Sequence, residues 1–205
     1  YTASLQPVND QPVLMKQSPK LKEMVGQLVS TPSISSTLDQ FDQSNLDVVH
    51  LLADWLQPLG FEISINPIEG SPNKVNLIAK KGSGDHALVL SGHTDTVPLD
   101  QDLWCTNPFS VTEKDDRWYG LGTCDMKSFF ALAIEAMQPL LEEEFKHPLV
   151  LVATADEESG MHGARALTAA DLSNARFAMI GEPTDLRPVN QHKGIMLLRA
   201  LITGD

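Results

Sequence analysis

Short apolar runs that end in acid or imidazole constrain this chain more than any other feature. Ala87-Leu88-Val89-Leu90 leads into Ser91-Gly92-His93-Thr94-Asp95-Thr96-Val97-Pro98, and Leu149 to Ala153 leads into Thr154-Ala155-Asp156-Glu157-Glu158-Ser159-Gly160. Phe177 to Ile180 leads into Gly181-Glu182-Pro183-Thr184, and Gly122-Thr123-Cys124-Asp125-Met126-Lys127 adds a further acid. Continuous apolar runs of this length are what strands buried on both faces of a sheet require. In an extended backbone, residues two apart point to one side, so His93 can offer a nitrogen to a metal while Asp95 holds or supplements it. Four strand ends are therefore expected to converge on one metal-binding edge.

The rest of the pattern alternates helix and strand. Ser18-Pro19 is a helix opening, followed by Leu21, Met24, Val25, Leu28 and Val29 at helical spacing. Asn45 is placed to cap a second helix whose Leu46, Val49, Leu52, Trp55 and Leu56 form one stripe before Gly60. Phe61 to Ile65 and Val75 to Ala79 read as neighbouring strands, Met126 to Leu140 as a helix and His162 to Thr168 as a shorter one. Such alternation predicts an α/β sandwich with a mixed sheet, and ligands of open α/β sheets sit beyond the carboxyl ends of the strands. Residues 1–17 are read as a mobile N-terminal extension, 18–186 as the N-terminal part of a metal-binding domain, and the β-rich stretch within 187–205 as the start of a second domain.

Composition excludes several classes. A net charge of −12 argues against a nucleic-acid surface, which needs a basic stripe to displace phosphate counterions. No apolar run approaches the roughly 20 residues of a membrane span. Only Cys105 and Cys124 are present, too few for a disulfide framework, so a reducing compartment and a cytoplasmic location are expected.

The acids divide by chemistry. Asp125 lies between a glycine-rich turn and a helix start; in isolation it would be a helix N-cap, but among these neighbours a metal-bridging role is the sharper reading. Adjacent Glu157 and Glu158 repel unless a cation or proton intervenes, and an amide-hydrolysing site uses one as ligand and one as general base. Glu182 supplies another candidate ligand. His86 and His147 precede strands and His50 lies in an apolar helix, so none of the three is expected to ligate. His162 and His192 lie nearer and could act only behind the ligands. Trp104, Phe109, Trp118 and Tyr119 are candidates for a pocket wall, although packing is the commoner use of aromatic residues. Gly120-Leu121-Gly122 with Lys127-Ser128 lacks the spacing of a phosphate-binding fingerprint.

Taken in order, the motifs around His93, Tyr119 to Lys127, Ala155 to Glu158 and Gly181 to Thr184 resemble the acetylornithine deacetylase, succinyl-diaminopimelate desuccinylase and carboxypeptidase group of metallohydrolases. The resemblance runs from about Leu21 onward. Thr31-Pro32-Ser33-Ile34-Ser35, Leu51-Leu52-Ala53-Asp54-Trp55, Asn107-Pro108-Phe109 and Pro188-Val189-Asn190-Gln191-His192-Lys193-Gly194 are most similar to its acetylornithine deacetylase branch.

That resemblance implies a three-layer α/β/α sandwich with a mixed sheet, part of a dinuclear metallohydrolase catalytic domain, joined to the first strands of a smaller α+β dimerisation domain. It implies two divalent metal ions, zinc first and cobalt second, with His93 and Glu182 on one, Glu158 on the other and Asp125 bridging. Asp95 would orient His93. Glu157 would take a proton from a metal-bound water that attacks the acyl carbonyl, then pass it to the departing amine while the metals stabilise the oxyanion. The implied reaction removes acetyl from N2-acetyl-L-ornithine, a small-molecule N-acyl amino acid, to give ornithine and acetate in arginine biosynthesis, in a homodimer. Two alternatives stand beside it: a related N-acyl-amino-acid or dipeptide hydrolase, and a metal-binding fragment without turnover. Ser128 stands where the group has Gly, which bears on helix packing. The group's last metal-binding histidine and the rest of its dimerisation domain are not within these 205 residues.

Overall fold

A computed structural model describes residues 19–191, 193–194 and 201–204. Two helices open it. Helix α1 (Leu21–Ser30) buries Met24, Val25, Leu28 and Val29, and α2 (Leu46–Leu56) buries Val48, Val49, Leu52, Trp55 and Leu56. These are the stripes expected from a 3.6-residue period. Gly60 closes the short 3-10 turn after α2 at φ 83°, a left-handed position that glycine takes without a Cβ penalty. Helix α1 starts at Leu21 with Lys20 at its N-cap, so Pro19 stands ahead of the helix and not in its first turn, where only residues already in helical geometry can sit; Ser18 and the proposed 1–17 extension lie outside the described residues.

Asn45 corrects the sequence reading. It makes no side-chain cap bond at α2. Its buried amide instead donates from Nδ2 to Val75 O and Thr94 Oγ1, both at 2.8 Å, and accepts the Val75 N–H at 3.0 Å. A buried amide with four hydrogen-bonding valences does more for the fold bracketing a strand entrance than satisfying one helix N–H that solvent can reach.

The strands are β1 (Glu62–Pro67), β2 (Val75–Lys81), β3 (Leu88–His93), β4 (Thr112–Lys114), β5 (Arg117–Tyr119), β6 (Leu149–Thr154) and β7 (Phe177–Ile180). Five form one sheet in the order β1-β2-β6-β3-β7. The pairs β1-β2 and β2-β6 are antiparallel, and β6-β3 and β3-β7 are parallel. The mixed sheet is as expected. Helix α3 (Ser128–Met137) lies between β5 and β6 and runs into a 3-10 turn, Gln138–Leu140, so the expected helix is split; α4 (His162–Arg165) is a single turn.

Alternation along the strands builds two cores. Leu77, Ala79, Leu151 and Ala153 join α1, α2 and α3 on one face, while Ile78, Val89, Val150 and Val152 meet Leu167 and Leu172 on the other. The three layers are present, with the second covering layer thin. Strand β7 departs from expectation: Phe177, Met179 and Ile180 are 63%, 58% and 64% exposed. It is the edge strand, paired with β3 alone among the described residues, and its Phe177 and Met179 line an open hollow with Leu88, Leu132 and Leu140 where a covering layer was expected. Strands β4 and β5 form a separate hairpin outside the expected set. Asp115 and Asp116 turn it with φ of 54° and 55°, the doubly left-handed conformation that a two-residue hairpin turn requires. Of the expected β-rich segment 189–203, residues 192 and 195–200 lie outside the described residues, and the described remainder carries no strand.

Candidate metal centre

Because β3, β6 and β7 run parallel, their carboxyl ends share one edge of the sheet. Register sets His93 beside Thr154 and Ser91 beside Ile180, which brings Asp95, Glu157, Glu158 and Glu182 out of three neighbouring ends. Asp125 arrives differently, from the turn that precedes α3, so three strand ends and one helix approach converge where four strand ends were expected. The cap position of α3 is Lys127, which leaves the Asp125 carboxylate free of the N-cap role. Its Oδ1 lies 3.1 Å from His93 Nε2.

His93 is the buried centre of the cluster. Its Nδ1 donates to the Asp95 carbonyl at 3.0 Å and lies 3.5 Å from Asp95 Oδ1. That fixes the tautomer and leaves Nε2 facing Asp125 and, at 3.8 Å, Glu182 Oε1. Ligand atoms form two overlapping sets, His93 with Glu157 and Glu182, and His93 with Asp125 and Glu158, each within 4.8 Å. Distances between ligand atoms of this size suit side chains that share a cation. Glu182 falls in the first set and Glu158 in the second, with His93 common to both.

Asp95, 1% exposed, braces more than the imidazole. Its Oδ1 accepts the Glu157 N–H at 3.2 Å and its Oδ2 the Glu158 N–H at 3.0 Å. One carboxylate thus ties the histidine to the backbone of both neighbouring glutamates.

The charges are strongly coupled. Burial works against ionisation of Asp95, but the hydrogen bond and charge of His93 and the two backbone N–H groups hold its carboxyl below the usual range. Burial likewise opposes protonation of His93, yet Asp95, Glu182 and Glu157 outweigh it and raise the imidazole to about 9. Burial first, then the charges of Asp125, Glu157 and Asp95, push Glu158 up to about 7 against the pull of His93. Glu182 is raised by burial and by the same acids, again opposed by His93. Crowded carboxylates around one imidazole are a site for a cation.

Several neighbours were given no part in the site by the sequence reading. Buried Lys127 donates to Thr31 O at 2.6 Å and Ser33 Oγ at 3.2 Å, and Ser33 Oγ donates to Thr94 O at 2.6 Å. Burial lowers Lys127 to about 7 despite the charge of Asp95. Lys74, Asp156, Ser35 and Asn76 surround the Glu157 turn; Asp156 and Ser35 lie within the motifs quoted above without a role of their own, and nothing in the local sequence marks Lys74 or Asn76. Ser128 is buried at the start of α3 with its Oγ lacking a hydrogen-bond partner.

The other histidines behave largely as read. His50 is exposed, and His86 and His147 face one another with ring centroids 6.2 Å apart, away from the centre. His162 Nδ1 lies 3.4 Å from Asp156 Oδ2, at the back of the acidic turn. His192 lies outside the described residues. Trp104 lines a hollow of about 280 Å³ with Thr96, Val97, Asp125 and Glu158, whereas Trp118 packs on the main core.

Residues 89–194 match the family described as Peptidase family M20/M25/M40. The chain is 48% identical over 186 residues to an acetylornithine deacetylase of Proteus mirabilis (strain HI4320), covering 91% of this chain and 48% of that protein. It is 49% identical over 176 residues to an acetylornithine deacetylase of Photorhabdus laumondii, covering 86% and 46%. It therefore spans about half the length of the curated relatives it matches. Human carnosine dipeptidase 1 shares the fold at a TM-score of 0.63 and 23% identity, over 78% of this chain and 37% of that one. A metallo-carboxypeptidase of Sulfolobus solfataricus does so at 0.64 and 20%, over 80% and 37%. Sequence match and sheet architecture agree, and the chain belongs to the peptidase family M20/M25/M40.

Proposed function

We propose that the complete protein is a metal-dependent amide hydrolase that removes the acetyl group from N2-acetyl-L-ornithine. The observation that carries the reading is the convergence of His93, Asp125, Glu157, Glu158 and Glu182 at one sheet edge, in two overlapping sets of candidate ligands. Imidazole and carboxylate donors in this number fit two divalent cations, zinc with cobalt as the second candidate. When bound, such ions supply Lewis acidity that polarises a carbonyl and lowers the pKa of water.

The residues of the chain do the rest. Glu157 accepts a proton from the attacking water and returns it to the amine nitrogen as the C–N bond breaks, leaving acetate and ornithine. Asp95 keeps His93 in the tautomer with Nε2 available and holds the backbone of Glu157 and Glu158. Asp125 would be the carboxylate shared by the two ions, with His93, Glu158 and Glu182 as the remaining ligands. The substrate assignment draws on the two relatives that bear the name acetylornithine deacetylase.

A homodimer, and the division into a metal-binding domain over 18–186 and a second domain from 187, complete the proposal. A cytoplasmic location is supported by two exposed free cysteines. No helix among the described residues is long and apolar enough to cross a membrane.

The test is ornithine release by the complete protein from N2-acetyl-L-ornithine, with and without chelator and with zinc or cobalt restored. N-succinyl-diaminopimelate and dipeptides run in parallel. Release that needs metal supports the reading. Preference for another acyl or peptide substrate would reassign it within the family, and no hydrolysis of any of them would overturn it.

A further inference from the structure

The turn that carries Glu157 and Glu158 is gripped from its far side by residues that the proposed chemistry leaves unused. Strand β2 runs antiparallel to β6, so the entrance of β2 lies at the same edge as the end of β6. Lys74, at that entrance, is 4% exposed, and its Nζ lies 2.8 Å from both Asp42 Oδ1 and Asp156 Oδ1. Asp42 is itself held by the Ser36 N–H at 3.0 Å. Asn76, two residues further along β2, accepts the Ala155 N–H at 3.3 Å and donates to Gly163 O at 2.8 Å.

Asp156 is the residue immediately before Glu157. It is 5% exposed and adopts a left-handed φ of 57°. Its Oδ1 also accepts Ser35 Oγ at 3.2 Å, and its carbonyl accepts the Gly160 N–H at 3.0 Å. Left-handed backbone costs energy in any residue with a Cβ, least for Asp and Asn, and persists where the surroundings over-determine it. A buried carboxylate also needs a charge partner. Lys74 is that partner.

We infer that the buried Lys74–Asp156 pair is a positioning device for Glu157 and Glu158, holding Asp156 left-handed so that the next two amides reach the Asp95 carboxylate. One anchor sits before the glutamates and the other beneath them, so their side chains are aimed from two fixed points. The inference rests on the proposed roles of Glu157 as base and Glu158 as ligand, but its geometry does not require a metal to be tested.

Asp156→Asn in the intact protein removes the charge while keeping the shape and the tolerance of left-handed backbone. Amide hydrogen exchange and zinc titration are read together. Exchange at Glu157 and Glu158 should quicken roughly tenfold or more while Val89 and Leu151 in β3 and β6 keep their protection, and zinc affinity should fall roughly 10- to 100-fold, as for loss of a group supporting a ligand. Lys74→Met should give the same pattern, and the double variant should add little to it. Unchanged exchange at the turn, or acceleration spread evenly over the sheet, would overturn the inference. If these variants fail to fold, Asp42→Asn, at a partly exposed partner of Lys74, carries the same test at a smaller fold-change. Failure of the unsubstituted protein to bind zinc would instead sink the metal reading, with the exchange pattern still deciding the clamp.

Discussion

Replacing Asp95 by Asn exchanges one carboxylate oxygen for an NH2 group at the most connected point of the site. The carboxylate accepts N–H groups at both oxygens, from Glu157 at 3.2 Å and Glu158 at 3.0 Å, beside His93 Nδ1 at 3.5 Å. An Asn side chain has the same shape but only one accepting oxygen, so its NH2 must face one of the two backbone N–H groups. With Asp95 1% exposed, water cannot take the lost role. An orphaned buried donor costs about 1–3 kcal/mol, which for a chain of this size lowers the melting temperature by about 2–12 °C. The pH dependence has a definite sign. The folded carboxyl of Asp95 is depressed below its ordinary value, so its stabilisation is present above the unfolded pKa of about 4 and is lost as pH falls through the folded pKa. Urea denaturation of both proteins, stepped from pH 7 to pH 3, should show a gap at neutral pH that narrows once the pH falls below about 4. A variant as stable as the parent at pH 7, or a gap independent of pH, would refute the bracing role.

Three further outcomes are expected. Glu157→Gln should keep zinc binding in a calorimetric titration while lowering turnover by roughly 10² to 10⁴-fold; near-normal turnover would remove Glu157 from the chemistry. Zinc must displace the proton of His93, held up to about 9, and below about 7 that of Glu158 as well. Affinity should therefore rise roughly tenfold per pH unit between 7 and 9 and more steeply below 7. Calorimetry in buffers of different ionisation enthalpy checks the proton release, and an affinity flat from pH 6 to 9 would contradict it. Gly163→Ala would put a Cβ 2.5 Å from the backbone N and O of Ala155, an overpacking cost of about 1–3 kcal/mol or more. Thermal melts within a degree of the parent would show that the α4 approach is looser than this geometry implies.

Local chemistry made much of this protein legible without coordinates. The apolar run of β6 announces a strand buried on both faces, because side chains covered from two sides have no reason to alternate in polarity, whereas β3 leaves Leu88 43% exposed and Leu90 half-buried. His93, Asp95, Asp125, Glu157, Glu158 and Glu182 could be singled out because each lies within a few residues of a strand end or a glycine-rich turn. Their division into sets around His93 could not, since it depends on how far β7 and the turn before α3 reach toward β3. The order β1-β2-β6-β3-β7 is likewise set by pairing between distant segments. The same holds for Lys74 and Asp156, which the antiparallel register of β2 on β6 sets side by side, and for Ser35 and Asp156, 121 residues apart, which meet because the Ile34–Thr96 bridge brings the loop before α2 to the same edge. Asn45 shows the contest most directly. Its local pattern is that of a helix cap, but burial against Val75 and Thr94 supplies donors and acceptors that water cannot replace, and the tertiary contacts win. For β7 the apolar sequence expressed a preference for burial, and the packing around that edge left it exposed. Composition and period are properties of neighbouring residues; which polar groups must satisfy one another, and which apolar faces find cover, is settled by segments that meet only in three dimensions.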